Sequence, residues 1–373
     1  MFSMPTQPNL SDSRWNSTMS LCGAGMWSVF AALAGVRRAP FGIIELLFLF
    51  AALVIVPLGS ELAAMISPAT KSPGVVQHAL QAVAMLAISV GFWLPPGRNA
   101  GILSVAWLAF CAVMTASRLA YTWRRPRITN SLLVDLAYAD VVLGSAWLVA
   151  SRAGLRPMGF QEPIILLTAV HFHYSGFATA LIAAATWREF ENRRLNMPGL
   201  LQLVWLVAVL PFVLAAGFVF SPALRFIAAV SLSACVTALA LIFWWLSGDW
   251  SGPAKIYLRL ATLAAVGAFS LSGIYAVSEY FRKDWITIPG MANSHGLLNG
   301  LGFVLLGTLG WLLELHGRIA LEDAMVDTLK PKPVQRTRPS AVFVRTGSTL
   351  AREQRDWRGA TAPDFLARDF YDR

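Results

Sequence analysis

The side chains of this chain that could do chemistry lie inside apolar runs, and two short stretches hold most of them. The first reads Thr168-Ala-Val-His171-Phe-His173-Tyr174-Ser175-Gly176. The second reads Asn293-Ser294-His295-Gly296-Leu-Leu-Asn299-Gly300. Imidazole titrates near neutrality, so a histidine can carry a proton to or from a substrate, and either ring nitrogen can ligate a metal. His171, His173 and His295 are therefore the candidate ligands for zinc, iron or copper. Helix geometry resists that reading for the His-x-His pair, because residues two apart lie about 200° apart around the axis. Thr168, His171 and Ser175 share one face, which leaves His173 pointing toward another. His295 and Asn299, four apart, share a face of their own helix. Gly296 and Gly300 repeat the small-xxx-small spacing that lets helices approach closely, which would bring His295 against a neighbour.

Ionisable groups at membrane depth cost roughly 2.5–3.5 kcal/mol on insertion scales, so each marks a candidate site. Beyond the three histidines they are Glu45, His78, Asp135, Asp140, Glu279, Glu314 and His316. With a rise of about 1.5 Å per residue, His171, His173 and His295 fall at nearly equal depth. Glu45, near the start of its run, and Glu279, near the end of its run, lie in the same half of the membrane, and Asp140 lies near the midplane. The expected substrate-binding set is thus His171, His173, Tyr174, Ser175, His295, Asn299, Glu45, Asp140 and Glu279. His78 and His316 sit near run ends and are expected to be structural, Glu314 to be exposed, and Arg118 to snorkel to its interface.

The elements that must position these groups follow from composition. Of 373 residues, 56% are hydrophobic and 13% charged, against roughly 25% charged in soluble domains, and the mean hydropathy is +0.58. That excludes a water-soluble enzyme and a disordered chain. Nine runs reach the length of about 20 apolar residues that crosses a bilayer: 42–66, 75–94, 101–121, 131–150, 163–187, 198–220, 224–247, 255–280 and 291–315. Backbone in lipid must satisfy its own hydrogen bonds, and runs of this length do so as helices. The expected fold is an all-α, polytopic transmembrane bundle of about nine spans. Its organisation is an N-terminal segment (1–40), a helical domain (41–316) and a flexible charged cytoplasmic tail (317–373). Leu21–Gly35, apolar but short, reads as an interfacial or re-entrant helix, and would make a tenth span if it crosses.

The net charge of +10 is spread over short breaks between runs and a tail carrying 11 basic side chains after Trp311. Such a pattern sets topology and attracts anionic lipid, so the bilayer is the expected partner and nucleic acid is not. Arg124-Arg125-Pro126-Arg127 and Arg193-Arg194 share a side with the tail, which places that side in the cytoplasm and the N-terminus outside. Within the tail, a short helix near 351–358 and a docking strand at 341–344 are expected. Cys22, Cys111 and Cys235 form no CxxC pair and read as small buried hydrophobes.

Several stretches resemble the YndJ-like family of bacterial membrane proteins. They are Glu45-Leu-Leu, Val56-Pro57-Leu-Gly59, the segment from Gly144-Ser-Ala-Trp147 through Arg152 to Arg156-Pro157-Met-Gly159-Phe160, and above all the two histidine motifs, Leu167–Phe177 and Ser294–Phe303. The resemblance covers roughly residues 41–316, and Asn299-Gly300 departs from the Asn-Ala that the family pattern implies. It implies a helical bundle in the bacterial cytoplasmic membrane and, where members carry a functional label, a transporter; it supplies no catalytic residues and no cofactor. Three functions compete: a permease for a small molecule or ion, a membrane-embedded metal- or haem-dependent enzyme, and a scaffold or sensor with structural histidines.

Overall fold

The computed structural model describes residues 10–67, 75–123 and 129–329, and each element in it is helical. Among the described residues, ten helices are long and apolar enough to cross a membrane. They are α1 (Leu10–Gly35), α2 (Ile43–Ile66), α3 (Val75–Trp93), α4 (Arg98–Thr122) and α5 (Thr129–Arg152). The second half comprises α6 (Ile164–Arg193), α7 (Leu200–Phe220), α8 (Pro222–Leu246), α9 (Gly252–Tyr280) and α10 (Ile288–Met325). Nine match the expected runs, and the tenth is the segment set apart by sequence. Pro222, Pro253 and Pro289 open their helices in the first turn, where a missing N–H costs nothing. Ser221 and Thr287 cap two of these starts through their hydroxyls. Short connections lay sequence neighbours side by side, as in α3–α4, α4–α5, α7–α8 and α8–α9.

Helices α2 and α6 form the interior: in each, 78% of the central stretch is buried, against 11% in α1. The helix carrying the His-x-His motif is thus among the most enclosed. Both interior helices widen into a π turn, Ala51–Ile55 in α2 and Phe172–Ala178 in α6. Two more π turns, Ala292–Gly296 and Leu298–Val304, occur in α10 on the second motif. Such bulges re-aim side chains and expose backbone carbonyls, and they concentrate at functional sites.

Helix α1 is one unbroken helix, packed antiparallel along α2. Ser17 donates to Glu61 (2.8 Å), Ser20 to Val54 O (3.4 Å) and Trp27 Nε1 to Leu46 O (2.7 Å). The contact is closest at Gly23, where an added Cβ would lie 2.0 Å from Leu53 O. Pro57 explains the opening there, since it has no N–H to give the carbonyl four residues earlier. The structure therefore adds a tenth helix of sufficient length to the nine-run reading.

The last helix does not stop at the expected boundary, Gly317; it is helical through Leu329, and the compact unit runs to Ala324. Arg318, assigned by sequence to the tail, reaches Glu189 on α6 with two hydrogen bonds of 2.7 Å. The Arg124–Arg127 cluster and the expected tail elements at 341–344 and 351–358 lie outside the described residues. Cys111 is buried, Cys235 half-buried and Cys22 exposed, the last against its reading as a buried hydrophobe.

Candidate functional site

A cavity of about 360 Å³ enters the bundle between α6, α7, α8, α9 and α10. Phe160, Arg225, Tyr280 and Ile288, at or next to the ends of the spans, surround its mouth, and Tyr174 and Asn299 stand at its inner end. Thr168, His171 and Ser175 all line it, so the face they share on α6 is the face turned to the cavity. His295 lines it from α10 and Glu279 from α9. Six of the nine expected residues therefore line one cavity: His171, Tyr174, Ser175, His295, Asn299 and Glu279.

The backbone sets the two cavity histidines. His171 Nδ1 lies 2.8 Å from Leu167 O, one turn back on its own helix. His295 Nδ1 lies 2.8 Å from Ala268 O, on α9. A carbonyl oxygen only accepts, so both Nδ1 atoms carry hydrogen, and the neutral rings keep their lone pair at Nε2. A ring whose Nδ1–H is held by a carbonyl is oriented, leaving Nε2 to take a proton, a hydrogen bond or a metal.

Glycine allows the two motifs to meet. A Cβ at Gly300 would touch the Tyr174 ring at 3.2 Å, and one at Gly296 would lie 2.7 Å from Leu47. Tyr174 in turn donates its hydroxyl to Leu47 O (2.8 Å), tying α6 to α2 at the floor of the cavity. At the mouth, Arg225 pairs with Glu279 at 2.8 Å, both partly exposed, and its guanidinium stacks 4.8 Å from the Phe218 ring. Arg225 looks like a loop charge by sequence; the usable signal is its position one turn after Pro222, already inside α8.

Three expected members stand elsewhere. His173 is fully buried, accepting from Trp107 Nε1 (3.1 Å) and donating to Ala169 O (2.8 Å), with Phe48 edge-on at 4.9 Å. Trp107 can only donate, so this ring too is protonated at Nδ1, and both its nitrogens are used. Asp140 is fully buried in the α5–α6 contact, and neither carboxylate oxygen has a hydrogen-bond partner among the described residues. The contact interlocks through glycine: a Cβ at Gly176 would lie 2.6 Å from Asp140 Cγ, and one at Gly144 2.7 Å from His173 Nδ1. Glu45 folds back onto its own helix start, accepting from Gly42 N–H at 2.9 Å. Among the described residues no three His, Cys, Asp or Glu side chains come close enough to hold a metal ion. The His171, His173 and His295 candidates thus divide between the cavity and the Trp107 nest.

The opposite end of the bundle holds a polar layer that sequence reasoning missed. Glu189, 2% exposed, accepts from Arg318 and from Arg193. Arg318 also bonds Glu314, which is therefore partly buried and paired where sequence expects exposure. Arg118 turns inward instead of snorkelling: it is 6% exposed and bonds Asp135 at 2.9 Å and Ser67 O and Oγ at 2.7 Å. Asn130 and Arg188 reach Ile66 O and Met65 O, so three side chains cap the end of α2. His316 lies 3.3 Å from Glu61, and His78 stacks on Trp15. The available signal was the i, i+4 spacing of Glu189 with Arg193 and of Glu314 with Arg318.

Fold and cavity together define a polytopic helical membrane protein with a largely apolar cavity, bearing a few polar side chains, at one end of its bundle. The model of the YndJ-like protein family matches residues 46–303, and the chain belongs to that family. It is 30% identical over 217 residues to the uncharacterized membrane protein YndJ of Bacillus subtilis (strain 168). That match takes in 57% of this chain and 38% of the relative, so the chain spans well under half of the relative's length. No solved structure matches significantly.

Proposed function

We propose that this protein is a permease of the bacterial cytoplasmic membrane and that the cavity is its substrate site. The observation that carries the reading is the convergence of His171 on α6 and His295 on α10 upon one cavity lined by residues toward one end of a bundle of membrane-length helices. Two oriented imidazoles with unused Nε2 atoms can bind a substrate and exchange protons with it. The charge pattern puts the cavity mouth on the outer face. With α1 crossing, α1 begins on the side where α10 ends, and the loop basic residues divide eleven to eight in favour of the cytoplasmic side. That assignment replaces an outside N-terminus with a cytoplasmic one.

Alternating access makes a measurable demand on the same residues. With Cys22, Cys111 and Cys235 replaced by Ser, Ser175→Cys and Asn299→Cys are reacted with a membrane-impermeant maleimide. The reagent is added to intact cells and to inverted vesicles. A permease exposes both positions from both faces. Labelling from the outer face alone defines a one-sided pocket, as in an enzyme or sensor, and refutes transport.

A further inference from the structure

The cavity wall carries information about what it holds, on the reading that this cavity is the substrate site. The Leu167 and Ala268 carbonyls oblige His171 and His295 to keep hydrogen on Nδ1, so each neutral ring presents an acceptor at Nε2. Neither ring donates from that atom without taking a second proton. Asn299, 6% exposed and at the inner end of the same wall, has an Oδ1 that accepts nothing among the described residues. The charged groups on the wall are Arg225 and Glu279, and at 2.8 Å they neutralise each other. A charged head would therefore be buried without a counter-ion, which membrane and protein interiors disfavour. Around these polar atoms the wall is aliphatic and aromatic, with Leu47, Leu167, Leu214, Phe226 and Leu232 among its members. The volume of about 360 Å³ lies within the roughly 300–1,000 Å³ typical of sites for small organic ligands.

We propose that the cavity binds a small, uncharged amphiphile whose head brings at least two hydrogen-bond donors, as a diol does, and whose body is apolar. The two donors go to Nε2 of His171 and Nε2 of His295, the Asn299 amide meets the rest of the head, and the apolar body lies along the aliphatic wall. An acid would find its oxygens facing acceptors, and an ammonium would lack a carboxylate not already engaged by Arg225.

The test uses the full chain in membranes and three photoreactive probes that share one medium-length alkyl chain bearing a diazirine. One ends in a 1,2-diol, one in a carboxylate and one in trimethylammonium. Labelled peptides are mapped by mass spectrometry. The expected result is diol labelling within 160–175 and 288–299, reduced about tenfold by His171→Ala and further by adding His295→Ala. His171→Gln with His295→Gln, which restores an acceptor oxygen at each position, recovers it and shows that the fold is intact. Equal or stronger labelling of these segments by the carboxylate or ammonium probe overturns the ligand class while leaving the cavity as a site. Diol labelling that ignores both histidines overturns the assignment of the head. Absence of label from these walls with all three probes overturns the ligand proposal as well. The maleimide pattern decides transport separately.

Discussion

The two ends of the bundle treat their intramembrane polar side chains in opposite ways. At the end carrying the α2 terminus, the charged ones are paired with one another, although Asn130 Oδ1 accepts nothing among the described residues. Glu189 takes hydrogen bonds from two arginines, Arg118 spends its donors on Asp135 and Ser67, and Glu61 accepts from Ser17 with His316 beside it. At the other end, His171 and His295 bond only backbone carbonyls and turn Nε2 to a cavity, and Asn299 Oδ1 accepts nothing. Satisfied buried polar networks rigidify a fold, and partly used ones keep capacity for a ligand. The comparison teaches that a costly intramembrane polar group is a site marker only after its partners have been counted.

The largest effect should come from breaking the paired end. Glu189→Ala takes the buried carboxylate from Arg193 and Arg318, leaving Arg318 only Glu314. It should cost about 3 kcal/mol, the low end of the range for breaking a buried ion pair, because both arginines are partly exposed. The check is the midpoint of thermal unfolding of purified protein together with its abundance in the membrane. A midpoint equal to wild type would show that the inner layer does not hold the bundle.

Next in size are tight contacts and the satisfied histidine. Gly300→Leu drives a branched side chain into the Tyr174 ring, and Gly23→Val drives one into Leu53 O. Overpacking of this kind costs about 1–3 kcal/mol. Gly23→Val should also unseat α1, which disulfide trapping between Ser20→Cys and Val54→Cys would report as lost cross-linking. His173→Phe leaves the Trp107 N–H without its acceptor, at about 1–3 kcal/mol, and should lower abundance and any phenotype together.

The smallest effects on stability, and the sharpest on function, belong to the cavity. His171→Ala removes an exposed ring that bonds only its own helix and should leave stability within about 0.5 kcal/mol of wild type. His295→Ala also gives up the bond to Ala268 O on α9 and should cost about 0.5–1.5 kcal/mol. Each should nevertheless cut diol-probe labelling about tenfold and impair the cellular phenotype at wild-type protein levels. Protein loss in both, matching Gly300→Leu, would make these histidines structural and erase the difference between the two ends. Breaking the partly exposed Arg225–Glu279 pair with Glu279→Gln should change stability by about 0–1 kcal/mol, measured by the same melting assay.

Much of this architecture was legible in the chain. Lipid leaves a backbone no choice but internal hydrogen bonding, so run length alone marked nine of the ten helices. Helix periodicity alone separated His171 from His173 and joined Thr168, His171 and Ser175 on one face, which is the face that lines the cavity. Gly296 and Gly300 announced a close helix contact, and the contact is with Leu47 and Tyr174.

What sequence could not supply is the partner of each polar group. His173 and His171 have equal chemistry two residues apart; only Trp107, 66 positions away, satisfies the one and leaves the other its Nε2. Arg225 and Glu279 became a pair, and Arg318 a bundle residue, through contacts between residues far apart in the chain. Even α1 depended on one: its seat is the Leu53 carbonyl that Pro57 leaves uncovered, met by Gly23. Local sequence determines where a helix forms and which way each side chain points around it, because those depend on near neighbours along the backbone. Whether that direction ends in a counter-charge, a ring or a cavity depends on how ten helices pack, and that is decided only by the tertiary structure.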